Sequence, residues 1–370
     1  MDTGMFRLPF RGSLDQPAMG RRIRKLLIGA MVLALLVVAF LAWRSTSQSA
    51  APAVLSQTYA QALEMAHNGK PGAARVLYQQ LARDDLSEIQ RASLLAELAY
   101  YPSPQALKLL NTALEGGSLQ VRLAAIETTS QMLPNAQRSI VLGPLLDDPE
   151  PSIKLAATLA LLDMAPDDLG LYYVALQQSV EDTLTLLERE PPDAANQLQL
   201  ARLQAHNGDA GKAMATLQAA RAKEPENLDI ALAWIERMDK QGKADEARQL
   251  LGQLLSRQPQ LARLQYALGQ WLLAHQQTEY ALLALAKAVE LEPDNSHYRY
   301  QLAVTLHDLQ QVDAAQRQLN DILQRQPANR KARVLLIRYW QETGQLQNVQ
   351  VLLAELEQQN PDDPALQQGL

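Results

Sequence analysis

The stretch VELEPDNSHYRYQLAVTL, residues 289–306, decides the fold. Both flanks read as helix, yet Pro293 stands between them. A proline inside a helix removes a hydrogen bond and clashes with the preceding turn, at about 3 kcal/mol. EPDN is therefore a helix end and a turn. The same break recurs every 34 residues, at Pro191, Pro225, Pro259, Pro293, Pro327 and Pro361. A fixed period of this length predicts a helical repeat array.

Composition agrees with an all-α chain. Hydrophobic residues make up 47% and aromatic ones only 5%, and Ala, Leu and Gln are abundant, a mixture that favours helix over sheet. There is no cysteine, which excludes disulfides, thiolate catalysis, cysteine-ligated zinc and haem attachment through CxxCH. Charge is uneven. Residues 1–25 carry six basic side chains against Asp2 and Asp15, a balance of +4, so with a whole-chain charge of −6 the remainder carries −10. An acidic body without a long basic stripe argues against nucleic-acid binding.

Leu26–Trp43, LLIGAMVLALLVVAFLAW, is 18 residues without a charge. As a helix it is about 27 Å long, enough to cross a hydrocarbon core. RRIRK precedes it, whereas Arg44 is followed by no basic residue until Lys70. The positive-inside rule then expects residues 1–25 in the cytoplasm, 26–43 as a single-pass transmembrane helix in contact with the lipid bilayer, and the body across it, in the periplasm of a bacterial inner membrane. Cleavage after APA, residues 51–53, is the competing reading, but the apolar run exceeds a signal peptide's 7–15 residues. Residues 44–54 are small and polar and read as a linker.

Aligned on the prolines, residues 194–363 give five copies: 194–227, 228–261, 262–295, 296–329 and 330–363. Offset 20 is Ala213, Ala247, Ala281, Ala315 and Val349, and offset 24 is Leu217, Leu251, Leu285, Leu319 and Leu353. Offset 8 reads Ala201, Ile235, Gly269, Ala303 and Ile337, while a turn position at offset 15 reads Gly208, Gly242, Gln276, Gln310 and Gly344. These features resemble the tetratricopeptide repeat (TPR), with its small residues at 8 and 20 and proline at 32. The resemblance implies two short helices per unit, stacked so that neighbours share a core, in a superhelix whose first helices line a concave groove. Ile235, Ile337 and Val349 are bulky for their offsets and predict looser packing in repeats two and five.

Residues 55–86 look like a divergent copy, because Gly69 precedes Ala74 by five as Gly208 precedes Ala213. Residues 87–165 lose the 34-residue ruler. Two blocks in them are alike: Val121-Arg122 followed by Ala124-Ala125, and Ile153-Lys154 followed by Ala156-Ala157. The second, behind Asp148-Pro149, resembles a HEAT-type repeat. Residues 166–193 read as connecting helices, and 364–370 as a C-terminal tail, very short for a cap on the last repeat. Because a solenoid is stabilised by nearest neighbours, residues 171–370 are expected to fold alone.

Motifs for chemistry fail on fit. GDAGKA at 208–213 has two residues between its glycines where a phosphate loop needs four, and Ala213 follows the lysine. His297 and His307 are ten residues apart, about 15 Å of helix, too far to share a metal ion. The acidic pairs Asp84-Asp85, Asp147-Asp148, Asp167-Asp168 and Asp362-Asp363 sit at turns beside helix starts, where capping is the expected role. No catalytic residue, metal site or cofactor is expected, and an enzyme ranks third among the readings.

The remaining candidate is the groove that the TPR resemblance implies. Offsets 2, 5, 9 and 12 face it in that family, and here the chemically able residues at those offsets are Arg202, Tyr266, Gln270, His297, Tyr300, His307 and Arg338. Tyr and Arg are common binding anchors. The reading is an α-solenoid scaffold or adaptor, anchored in the membrane, that binds other proteins or peptide segments in envelope complex assembly. The alternative is a holding chaperone for exported or apocytochrome chains.

Overall fold

Residues 58–367 are described by the computed structural model, and the regular structure among them is helical throughout. The segment 26–43 lies outside the described residues; within them no helix is long and apolar enough to cross a membrane. The helices α1 (Tyr59–His67) and α2 (Ala73–Leu81) form the first hairpin, turned by Gly69 at φ 57°. There follow α3 (Glu88–Leu98), α4 (Pro104–Gly116), α5 (Leu119–Met132) and α6 (Asn135–Leu142). A 3-10 turn then leads to α7 (Pro151–Leu161), the short α8 (Pro166–Leu169) and α9 (Tyr173–Leu187). In this section α3 packs on α5, α5 on α7 and α7 on α9. The two similar blocks fall on α5 and α7 and have parallel surroundings. Val121 and Ile153 are buried, while Arg122 pairs with Asp148 and Lys154 with Asp182, each an acid one unit further on.

The five 34-residue units fold alike. Their helices are α10 (Ala194–His206) and α11 (Ala210–Lys223), α12 (Leu228–Lys240) and α13 (Ala244–Arg257), α14 (Ala262–Ala274) and α15 (Thr278–Leu291), α16 (Ser296–Asp308) and α17 (Val312–Arg325), and α18 (Arg330–Glu342) and α19 (Leu346–Gln359). In every unit the first helix spans offsets 1–13 and the second 17–30. The cause is local chemistry. Asp193, Asn227, Asn295 and Asn329 cap first helices by accepting from backbone N–H groups at the second or third position. The residue before each proline (Glu224, Gln258, Glu292, Gln326, Asn360) leaves the helical region, ψ 65–88°, as proline's ring requires. Offset 15 is left-handed in all five copies, at φ 83°, 80°, 59°, 60° and 73°, although two of these residues are Gln276 and Gln310.

Packing follows the offsets. Ala213, Ala247, Ala281 and Ala315 are fully buried, and Leu217, Leu251, Leu285 and Leu319 nearly so. Gly269 has a steric reason: a Cβ there would lie 2.7 Å from Cγ of Leu285. Helices within repeats two and five touch over less of their length than those of one, three and four, matching the bulk of Ile235, Ile337 and Val349. A second device was not visible in the period. Gln265, Arg299 and Arg333, all at offset 4, donate to the carbonyls of Pro259, Pro293 and Pro327 in the preceding turn. Arg299 and Arg333 also pair with Asp321 and Glu355, both at offset 26.

The two ends of the described body meet. The Gly72 N–H donates to the Gln358 carbonyl at 2.7 Å, and Asn360 Nδ2 to the buried carbonyl of Pro102 at 2.8 Å. Tyr78 donates to the Tyr101 carbonyl at 2.9 Å, accepts from Ser103 at 2.9 Å and lies 3.4 Å from Asn360 Oδ1. Burial pushes the Tyr78 phenol up to about 12. Ala328, in the turn before the last repeat, belongs to the same apolar core as Leu77, Leu98 and Tyr101. The cap that Pro364–Leu370 is too short to supply comes from the first hairpin. Residues 364–367 add one helical turn, α20, while 368–370 lie outside the described residues. Residues 171–370 taken alone would lose this contact, baring Asn360 and Ala328.

Candidate functional site

Side chains on successive first helices touch in series, which places the candidate residues along a single face. Arg263 on α14 pairs with Asp229 on α12, and His275 just past α14 bonds Asp239 on α12 at 2.8 Å. Tyr266 on α14 and Nε2 of His297 on α16 are hydrogen-bonded at 2.8 Å. His307 on α16 bonds Glu342 on α18 at 2.8 Å and stacks on Tyr339 with ring centres 3.9 Å apart. These contacts, at or beside offsets 2, 5 and 12, run in a strip from α12 to α18.

Within the strip the candidates are not equal. Tyr266 is half-buried, stacked on Tyr298 at 4.6 Å, and its phenol is raised by burial. Tyr300 is likewise half-buried and raised by burial, with Arg338 opposing the shift. Arg338 is exposed and has no ion-pair partner among the described residues, and Gln270 is exposed. Arg202 is set apart. It pairs with Asp163 after α7, and both line a cavity of about 640 Å³ together with Glu236, Arg237 and Lys240. In that cavity the Glu236 carboxylate is shared by Arg237 and Lys240, so each cation there has an acidic partner. His206, at its edge, is lowered by burial.

The structure thus brings Tyr266 and His297 into contact, places Arg338 close enough to act on Tyr300, and leaves Arg202 at the junction with the preceding section. Two aromatic partners escaped the sequence reading. Tyr298 at offset 3 and Tyr339 at offset 10 are almost buried and serve as the floor on which Tyr266 and His307 stack. Their signal was an aromatic beside a groove offset in the same helix.

The acidic pairs divide between two roles. Asp363 accepts from the N–H of Ala365 as capping predicts and pairs with Arg330, whereas Asp148 accepts from the N–H of Glu150, itself the N-cap residue of α7, and pairs with Arg122. Asp85 instead turns back to Arg83, leaving Ser87 to cap α3.

Among solved structures, the chain is similar to MamA (16% identity, 43% of this chain and 94% of that one, TM-score 0.36). It is also similar to YrrB, described as a TPR protein with an unusual peptide-binding site (19% identity, 50% and 95%, TM-score 0.35). A segment of MamA from Desulfovibrio magneticus RS-1 matches at 21% identity over 40% and 86%, TM-score 0.32. No curated protein matches the chain. The tetratricopeptide repeat family model matches residues 206–271, from the end of α10 into α14.

Proposed function

We propose that this chain is a scaffold that holds an extended segment of another protein on the strip formed by its first helices. Residues 26–43 anchor it in a bacterial inner membrane and residues 58–367 work on the periplasmic side; residues 87–165 form a HEAT-like section ahead of the repeats. The observation that carries the binding reading is the row of Tyr266, Tyr300 and Arg338. Their aromatic rings are half-buried and held in place by stacking or by neighbours, while a guanidinium without a carboxylate partner stands beside them. Preorganised aromatics and an available cation are what a peptide anchor needs. The same strip includes His297, His307 and Gln270 as hydrogen-bonding groups, with Arg202 apart from it on α10.

Truncating an aromatic hot spot typically weakens binding by at least about 2 kcal/mol, roughly 30-fold. Tyr266→Ala with Tyr300→Ala should abolish recovery of cross-linked partners from the envelope while helicity at the assay temperature stays close to wild type, although melting falls because both rings pack against the core. Equal recovery by the double variant would sink the strip as the binding surface. Topology is tested separately, with alkaline phosphatase fused after residue 60. Activity supports the periplasmic placement, and activity of a cytoplasm-dependent reporter at the same point refutes it.

A further inference from the structure

We propose that the cleft where the first and last parts of the body meet is a binding site for an acidic peptide segment of a partner protein. The cleft encloses about 670 Å³. One wall is the start of α4 with Pro104 and Leu107, another the Met132–Pro134 approach to α6, and the third the start of α18. That volume lies within the range of about 300–1,000 Å³ usual for ligand sites.

Its charge is one-sided. Arg138, Arg330 and Lys331 line it, and no Asp or Glu is among the lining residues. Arg330 is matched, because the buried Asp363 takes its guanidinium in two bonds of 2.6 and 2.7 Å. The other two cations are not matched. Arg138 donates to the Leu133 carbonyl at a long 3.3 Å, and its Nε is buried with no acceptor. Lys331 is exposed and has no ion-pair partner among the described residues. Two unmatched cations facing one cleft are unusual on a body whose residues 26–370 carry −10.

The recognition chemistry follows. A carboxylate suits a guanidinium because it accepts two parallel hydrogen bonds, and Lys331 adds a point charge from the opposite wall. The rest of the lining is four prolines with Leu107, Met132 and Leu133, beside the polar Ser103, Ser130, Gln131 and Gln137, and a small inorganic anion would leave the apolar part uncovered. An acidic residue next to an apolar one satisfies both parts. The proline-rich walls have fixed φ, so little freedom is lost on binding. Because α4 and α6 lie in the first part of the body and α18 in the last, an occupant would bridge the two and favour their contact by mass action.

Lys331 stands at offset 2 of α18, at the end of the strip on the first helices, so the Tyr266→Ala/Tyr300→Ala pair is what separates the cleft from the strip. The probe is a fluorescein-labelled Leu-Glu-Glu-Leu-Glu-Glu peptide, titrated against the full chain by fluorescence anisotropy at physiological salt. Saturable binding is expected, together with a rise in melting temperature at saturation. Lys331→Glu, a change at an exposed position, should weaken binding at least tenfold, about 1.4 kcal/mol. Arg138→Gln should act in the same direction. Lys223→Glu on α11, outside the cleft, and the Tyr266→Ala/Tyr300→Ala pair should leave the affinity unchanged. The proposal is overturned by absent saturation, by wild-type affinity in Lys331→Glu, or by an equal loss in Lys223→Glu. Loss of binding in the tyrosine pair would assign the peptide to the strip instead, and full competition by inorganic phosphate would make the cleft a free-anion site; either result also overturns it.

Discussion

Replacing Gln276 or Gln310 by glycine should stabilise the protein. Both residues hold the left-handed turn between the two helices of a repeat, at φ 59° and 60°, where the other three repeats have glycine. An L-residue pays about 1–2 kcal/mol for that conformation because its Cβ crowds the carbonyl oxygen. Glycine relieves the crowding but loses more chain freedom on folding, worth roughly 0.5–1 kcal/mol. The net gain is about 0.5–1 kcal/mol for each site. The turns lie in different hairpins, so the double variant should gain about 1–2 kcal/mol. In a chain of this size that raises the melting temperature by roughly 2–4 °C. Circular dichroism melts of the single and double variants measure it, with Gly242→Gln as the mirror experiment. That change should lower the melting temperature by a similar step. A destabilising Gln276→Gly, or a neutral Gly242→Gln, would refute the assignment of this turn.

Three other outcomes are expected. Gly269→Ala drives a methyl to 2.7 Å from Leu285 and should destabilise by about 1–3 kcal/mol in denaturant melts, whereas Gly252→Ala in α13, with open space around it, should gain about 0.5–1 kcal/mol. Asn360→Ala leaves the buried Pro102 carbonyl without its donor, at about 1–3 kcal/mol, and should raise hydrogen exchange in α1–α2 and α19 together. Asp148 is held below the usual carboxylate range, first by its hydrogen bonds from Arg122. Its contribution is present above the unfolded value of about 3.9 and is lost as pH falls through the lower folded value. The melting-temperature difference between wild type and Asp148→Asn should therefore be largest near neutrality and shrink below about pH 4.

What repeats was legible, and what occurs once was not. Offsets 8, 15, 20 and 24 could be read because five copies vote on each position, and Gln276 and Gln310 could be placed in a turn despite their side chains. The latch at offset 4 was hidden, because only Gln265, Arg299 and Arg333 carry it and an arginine in a helix reads as surface. Arg333 is in fact 2% exposed, one of the largest fully buried side chains. Groove offsets put Tyr266 and His297 on neighbouring helices, where they are hydrogen-bonded, but nothing in one repeat says that its aromatic will stack on the next repeat's Tyr298 or Tyr339. The contact between the ends was beyond reach. It joins Asn360 to a residue 258 positions away, and Asn360 by itself reads as an ordinary helix terminus.

That contact sets a rule for how the molecule can vary. An open stack of repeats can gain or lose a unit by duplication or deletion, because each unit needs only its neighbours. Here one added hairpin would displace the terminal helix by at least a helix width, about 8–10 Å, and carry Asn360 out of reach of Pro102. The copy number is then fixed by a joint instead of by a sequence boundary. Lineages that retain the joint should keep five copies between it and the first section, and length variation should collect in loops on the outside of the ring of contacts.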